Sequence, residues 1–371
     1  MRLLIATPLF PPDIGGPATY SKILYDELPK RGIAVDVLSF GEVRHLSKLL
    51  SHLIYFIKVL RYGLRSDIIF AQDPVSVGFP AAIAALLLRK KFVLKIVGDY
   101  AWEQGIQRFG VEDLLDEFLK KKYGIFIESL RAIQRFSAKR ANAVIVPSLY
   151  LKSVIERWGI SSDRILVIYN DAKIQKMPLS KQEARYKLGI PKNELVFFSA
   201  GRLVPWKGFE MLIDVMRSII ARHNNVKLFI AGDGPLYRAL QERIYAGGLE
   251  NNVILLGAIS KTALTSYVRA MDMFLLNTAY EGFSHQLIEA FALGAFVITT
   301  DAGGNKELVQ NGRNALIAPY NDAKAWRDII EKAIVDDKLR VSVSCEAVLS
   351  AEKFSKGAMV NSLINLLTKQ I

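Results

Sequence analysis

Leu195-Val-Phe-Phe-Ser-Ala200 runs directly into Gly201-Arg202-Leu-Val-Pro-Trp-Lys207-Gly208, and an amphipathic pattern begins at Phe209. A continuous apolar run of this kind is the pattern of a strand buried on both faces, as in a parallel sheet. The glycines and cations that follow belong to a turn at the carboxyl end of that strand, just ahead of a helix. Strand, turn and helix repeat along the whole chain. Strands are predicted in the first half at 3–6, 35–40, 67–72, 92–97, 143–147 and 165–169. In the second half they fall at 195–200, 227–231, 253–256, 273–276, 296–300 and 315–318. Alternating strands and helices imply parallel sheets with right-handed crossovers. Two such series make an α/β chain with two doubly wound, Rossmann-like domains, and 371 residues at about 150 per domain agree. Residues 171–194 lack a strand pattern and contain Pro178, Ser180, Gly189 and Pro191, which sets the domains at 1–172 and 173–371. The longest helical pattern spans 112–140. The last, 355–370, packs either in the second domain or back on the first.

Composition removes several classes. A 51% hydrophobic chain with 10% aromatics is not disordered. The lone Cys345 leaves no internal disulfide and no multi-cysteine metal site, which fits a reducing, cytoplasmic setting. The N-terminal apolar run is cut by Pro8 and makes a poor signal peptide. The longest apolar stretch, 78–88, is far short of the roughly 18 residues of a membrane span. The net charge of +13 is spread over both halves without a basic tail, so phosphorylated ligands or a membrane surface fit better than nucleic acid.

Open α/β sheets bind ligands beyond the carboxyl ends of their strands, where helix N-termini favour anions. After the first strand, Gly15-Gly16-Pro17 suits close backbone approach to an anion, or is an ordinary strand–helix turn. Arg202 and Lys207 stand where two cations would hold a diphosphate; a solvated basic turn is the plainer reading. Gly232-Asp-Gly234-Pro is half of a dinucleotide fingerprint, with Tyr237 where the third glycine belongs, so a tight turn explains it better than NAD. Glu281-Gly282-Phe283-Ser284 follows another strand. Its carboxylate is placed to accept from sugar hydroxyls and its amides to face an anion, unless Glu281 merely caps the helix. Glu289 lies in that helix, where a plain exposed glutamate is the alternative.

Together these pieces, with Gly303-Gly304 and Glu307, resemble the retaining glycosyltransferases of family 4, in their order and spacing over essentially the whole chain. The resemblance implies the GT-B architecture, two Rossmann-like domains facing a cleft, and a hexosyltransferase that moves a sugar from a UDP- or GDP-linked donor with retention. The acceptor would be a glycan or a lipid-linked saccharide. Arg202 and Lys207 would neutralise the leaving diphosphate. Glu281 would contact the donor sugar beside the amides of Gly282, Phe283 and Ser284, and Glu289 the ribose. Gly15, Gly16, Gly201 and Gly234 would bring backbone close to the donor. No metal and no cofactor is implied, and the sequence contains no Asp-x-Asp.

Two departures stand out. Many members carry a histidine after the fourth strand of the first domain. Here that region reads Lys95-Ile-Val-Gly-Asp99-Tyr-Ala-Trp-Glu103, and Asp99 is the candidate replacement or else a cap carboxylate. The other is Gly294-Ala295-Phe296 in place of Gly-x-Pro, which alters a turn and not the chemistry. A nucleotide-sugar epimerase of the same fold and a catalytically silent binding protein are the competing readings. Residues 43–65 carry five Lys/Arg and no acid. Leu46, Leu49, Leu50, Leu53, Ile57, Leu60 and Leu64 form a helical stripe that is expected to pack on the first sheet. The opposite face, with Arg44, Lys48, Lys58, Arg61, Arg65, Phe56 and Val59, is either solvated or set against an anionic leaflet, making the protein peripheral on the inner face of the cell membrane.

Overall fold

The computed structural model describes residues 1–13, 15–171 and 179–370, apart from the side chains of Lys48 and Leu49; Pro178 lies outside them. The chain forms two units, Met1–Asn170 with Lys356–Ile371, and Asp171–Ser355. The second unit thus ends before the last helix, Lys356–Gln370, and not at residue 371. That helix places Met359, Val360, Leu363 and Leu367 at i, i+1, i+4 and i+8 against Leu3, Ile5, Phe70 and Val93 of the first unit. Each such side chain contributes about 1.5–3 kcal/mol when buried, which is why the helix stays there.

The first unit holds β1 (Arg2–Thr7), β2 (Ala34–Ser39), β3 (Ile68–Ala71), β4 (Lys91–Lys95), β5 (Ala143–Val146) and β6 (Ile165–Val167). They form one parallel sheet in the order β2-β1-β3-β4-β5-β6. The second unit holds β7 (Leu195–Ala200), β8 (Val226–Ala231), β9 (Val253–Gly257), β10 (Met273–Leu276), β11 (Val297–Thr299) and β12 (Leu316–Ile317), in the order β12-β11-β10-β7-β8-β9. Strand order therefore reverses between β1 and β3 in the first unit and between β7 and β10 in the second. The loops leaving the carboxyl ends of those neighbouring strands diverge to opposite faces and open a crevice. All twelve strands lie where the apolar runs predict them, within a residue or two.

Lys95, at the end of β4, is a buried cation. Its Nζ donates to Asn170 Oδ1 (3.0 Å) and lies 3.6 Å from the Tyr20 ring centroid. Burial pushes its pKa down to about 7.

Three helical expectations need correction. The pattern over 112–140 is two helices, Leu115–Phe118 and Ile125–Arg140, broken around Gly124, whose backbone is extended at the second helix's N-cap. The helix Lys48–Gly63 turns much of its predicted stripe outward, with Leu46 and Leu60 half-buried. Its sheet-facing positions are Ser51, Tyr55, Val59 and Gly63, and Leu50, Leu53, Ile57 and Leu64 are exposed. Tyr55 wins the inner face because its ring packs on Phe40 and its hydroxyl donates to Leu38 O (3.0 Å). Val59 is accordingly core and not part of the outer face. Two cations of the predicted basic face have acidic partners outside the segment 43–65 or at its margin: Lys58 pairs with Glu42 (2.7 Å) and Arg44 with Asp13 (3.1 Å).

Candidate active site

The reversal between β7 and β10 sets side by side the loops that carry Arg202, Lys207 and Glu281. Gly201 to Gly208 leave β7, and Asn277 to Ser284 leave β10. The two loops are tied by Ala279 N–H donating to Trp206 O (2.8 Å) and by Asn277 Nδ2 donating to Gly208 O (3.0 Å). On this frame the ammonium of Lys207 pairs with the Glu281 carboxylate, both side chains being about nine-tenths buried. Lys207 is therefore not on a surface turn. Trp206 and Phe209 are buried on either side of it, and its stem follows them inward. Arg202 is the exposed member, its guanidinium 5.4 Å from the centroid of the Trp206 ring.

Glycines let neighbouring loops close on this site. A Cβ on Gly232 would stand 1.8 Å from Gly201 O, and one on Gly303 (φ 58°) would stand 2.3 Å from Glu281 O. Gly304 N–H donates to that same Glu281 carbonyl (2.7 Å), fixing the backbone under the carboxylate. Gly234 stands beside Leu203, whose N–H donates to Asp233 O (2.9 Å). Its place in the structure is thus a backbone crossing between the turns after β7 and β8.

Ser284, and not Glu281, is the N-cap of the helix His285–Ala292, its hydroxyl accepting from Leu287 N. Glu281 is thus not the cap, and its carboxylate is engaged by Lys207 instead. Phe283 sends its ring into the core against Phe354 and leaves only its backbone for ligand contact. Glu289 is neither exposed nor alone: its Oε1 accepts from Lys261 Nζ at 2.6 Å. Lys261 escaped the sequence reading, although it starts a helix directly after β9, the position that ligand-facing residues of this fold occupy. Asn305 also escaped; it is fully buried beside Gly303-Gly304 and its Oδ1 has no partner among the described residues.

In the first unit, Gly15 and Gly16 open the helix Gly16–Glu27, which has Pro17 in its first turn and no side-chain cap. Asp99 caps the helix Tyr100–Arg108. Its oxygens accept from Trp102 N (2.9 Å), Gln134 Nε2 (3.1 Å) and Trp158 Nε1 (3.2 Å), all buried, and burial raises its pKa. All three partners are N–H donors, so an amide here would set one donor against another. Asp99→Asn is expected to cost about 1–3 kcal/mol of stability, read as a lower urea midpoint. An unchanged midpoint with impaired acceptor transfer would instead give the carboxylate a chemical role.

Known proteins match this arrangement in both units. Residues 14–170 match Glycosyltransferase Family 4, and residues 180–347 match Glycosyl transferases group 1. The chain belongs to glycosyltransferase family 4. Among its curated relatives, an uncharacterized glycosyltransferase of Methanocaldococcus jannaschii is 30% identical over 207 residues, 54% of this chain and 53% of that one. The match thus spans about half the length of that relative. The capsular polysaccharide biosynthesis glycosyltransferase CapM of Staphylococcus aureus is 26% identical over 313 residues, 83% of this chain and 76% of its own. In fold, this family 4 chain is similar to Anabaena HepE, solved in complex with UDP and glucose, at a TM-score of 0.79, 21% identity and 99% coverage of both chains. The architecture is GT-B. No helix among the described residues is long and apolar enough to cross a membrane.

Proposed function

We propose that the chain is a retaining, metal-independent hexosyltransferase that moves a sugar from a UDP- or GDP-linked donor to a glycan or lipid-linked saccharide, working in the cytoplasm at the inner face of the cell membrane. The observation that carries this reading is the Lys207–Glu281 pair at the strand-order reversal, with Arg202 beside it. Lys207 and Arg202 meet the donor diphosphate and stabilise the charge that grows on it as the glycosidic bond breaks. They supply the charge that a metal ion would otherwise bring. Glu281, released from Lys207 by the arriving phosphate, accepts from hydroxyls of the donor sugar. A donor phosphate oxygen takes the acceptor's proton on the face the leaving group vacates, which retains configuration. That HepE was solved with UDP and glucose favours a uridine donor. An epimerase would need carboxylates free to move protons, whereas Glu289 is held by Lys261 and Glu281 is taken up by the donor sugar.

Proton NMR of the reaction with α-linked UDP- and GDP-sugars tests this proposal. Release of the nucleoside diphosphate with an α-linked product is expected, in buffer containing a chelator. A β-linked product, or no release from any such donor, would overturn it. Glu289 is proposed to hold the ribose, steadied by Lys261. Glu289→Gln is accordingly expected to raise the donor KM about tenfold with kcat nearly unchanged, the loss of one charge-assisted hydrogen bond. A fall in kcat at constant KM would remove Glu289 from the ribose.

A further inference from the structure

The helix Asp337–Ala351 of the second unit is apolar on two faces. Its inner face sends Val343, Ala347 and Ala351 into the core, the two alanines into the cluster that holds Leu287 and Phe291. Its outer face carries Val341 and Leu349, 64% and 57% exposed, with Val348 37% exposed and an exposed Cys345 between them. These positions stand at i, i+4, i+7 and i+8, which is one stripe along a helix. A surface helix turns a polar face outward, so the packing of this unit alone does not account for the stripe.

The charges on the helix fall into two groups. Arg340 pairs with Asp337, and Glu346 with Arg313 (2.9 Å). Lys338 and Glu352 are exposed, and neither enters an ion pair among the described residues. Each also stands at the unfavourable end, because a cation in the first turn and an anion at the C-cap oppose the helix dipole. Their placement is symmetric about the middle of the stripe. Lys338 and Glu352 lie seven residues to either side of Cys345, Val341 and Leu349 four, and Ser342 and Val348 three. A two-fold axis at Cys345 would run two copies of the helix antiparallel. Valine would then meet leucine and lysine would meet glutamate at both ends. Isologous contacts require that self-complementarity. A surface of a single sign would face repulsion at one end of the stripe.

We propose that the outer face of Asp337–Ala351 is a contact between two copies of this chain, antiparallel about Cys345, with Lys338 of each copy on Glu352 of the other. The inference goes beyond sugar transfer and does not rest on it. One helix per copy buries less than the roughly 1,200 Å² at which standard interfaces begin. The dimer is therefore expected to be weak, with a dissociation constant on the order of 10–100 µM. Helices packed about 8–10 Å apart, with Cα atoms about 2.3 Å from each axis, bring two facing Cα atoms to roughly 5 Å. That is within the span of a disulfide, so Cys345, the one cysteine of the chain, reports on the contact.

Sedimentation equilibrium of the full chain from about 1 to 200 µM, with reductant present, is expected to show monomer and dimer in exchange. Val341→Asp places an unpaired carboxylate in the contact twice and is expected to weaken it at least about a hundredfold. Lys338→Glu and Glu352→Lys are each expected to weaken it about tenfold. Together they are expected to restore association, because the exchanged charges face each other again. Oxidation with copper phenanthroline, which takes up the two electrons of the thiol pair, is expected to give a covalent dimer that Cys345→Ser and Val341→Asp abolish. All the changed positions are exposed, and circular dichroism of the variants checks that they fold. A chain that stays monomeric at about 200 µM would overturn the proposal. So would a dimer indifferent to Val341→Asp, or one that copper phenanthroline fails to cross-link. A double charge exchange that associates no better than either single change would also overturn it, since the contact would then run through another surface.

Discussion

Lys207→Ala is expected to lower kcat by about 10²–10³, the effect of removing one preorganised partner of transition-state charge. The same change leaves Glu281 buried without its cation. A loss of folding stability should therefore accompany the kinetic defect, on the order of 3–5 kcal/mol if the carboxylate stays ionised. Two controls separate the effects. Lys207→Arg keeps the charge and should recover part of kcat as well as stability. Arg202→Ala removes an exposed cation, so it should slow turnover with the urea midpoint unchanged. Turnover at the wild-type level in both Arg202→Ala and Lys207→Ala, with a proven donor, would remove the diphosphate clamp from this account.

Glu281→Gln is expected to separate binding from chemistry. In the free protein the Lys207 ammonium is engaged by the Glu281 carboxylate, and a diphosphate has to draw it away. An uncharged glutamine holds it less firmly, so UDP should bind a few-fold more tightly to the variant. Transfer should nevertheless fall by about 10², because the carboxylate proposed to orient the donor sugar is gone. Titration calorimetry with UDP and a turnover assay on the same preparation give both numbers. Weaker UDP binding together with unchanged turnover would mean that Glu281 serves Lys207 alone.

The strands were legible because a parallel sheet buries both faces, and such runs as Leu195–Ala200 then stand out against any background. The site motifs were legible for the related reason that they follow those strands. What lay beyond the sequence was the direction and pairing of side chains. Lys207 and Glu281 are 74 residues apart, and nothing local in either segment shows that the lysine turns inward to meet the carboxylate. Glu281 was readable as a helix cap until Ser284 took that place. Periodicity showed a leucine stripe over 46–64, but it cannot say which face turns inward. Tyr55 with its hydroxyl partner and Gly63 with its close neighbour decided that against the leucines. Lys261 carried no motif at all; only its ion pair with Glu289 marks it.

The loops at the carboxyl ends of β7 and β10, the central strands of the second unit's sheet, are proposed to bind a nucleoside diphosphate. Calorimetric titration of UDP, GDP and NAD into the intact chain, in chelator-containing buffer, tests this most directly. Saturable binding of UDP or GDP is expected, weakened at least tenfold by Arg202→Ala and absent for NAD. Binding of NAD alone, or nucleoside diphosphate binding indifferent to both Arg202→Ala and Lys207→Ala, would contradict the account.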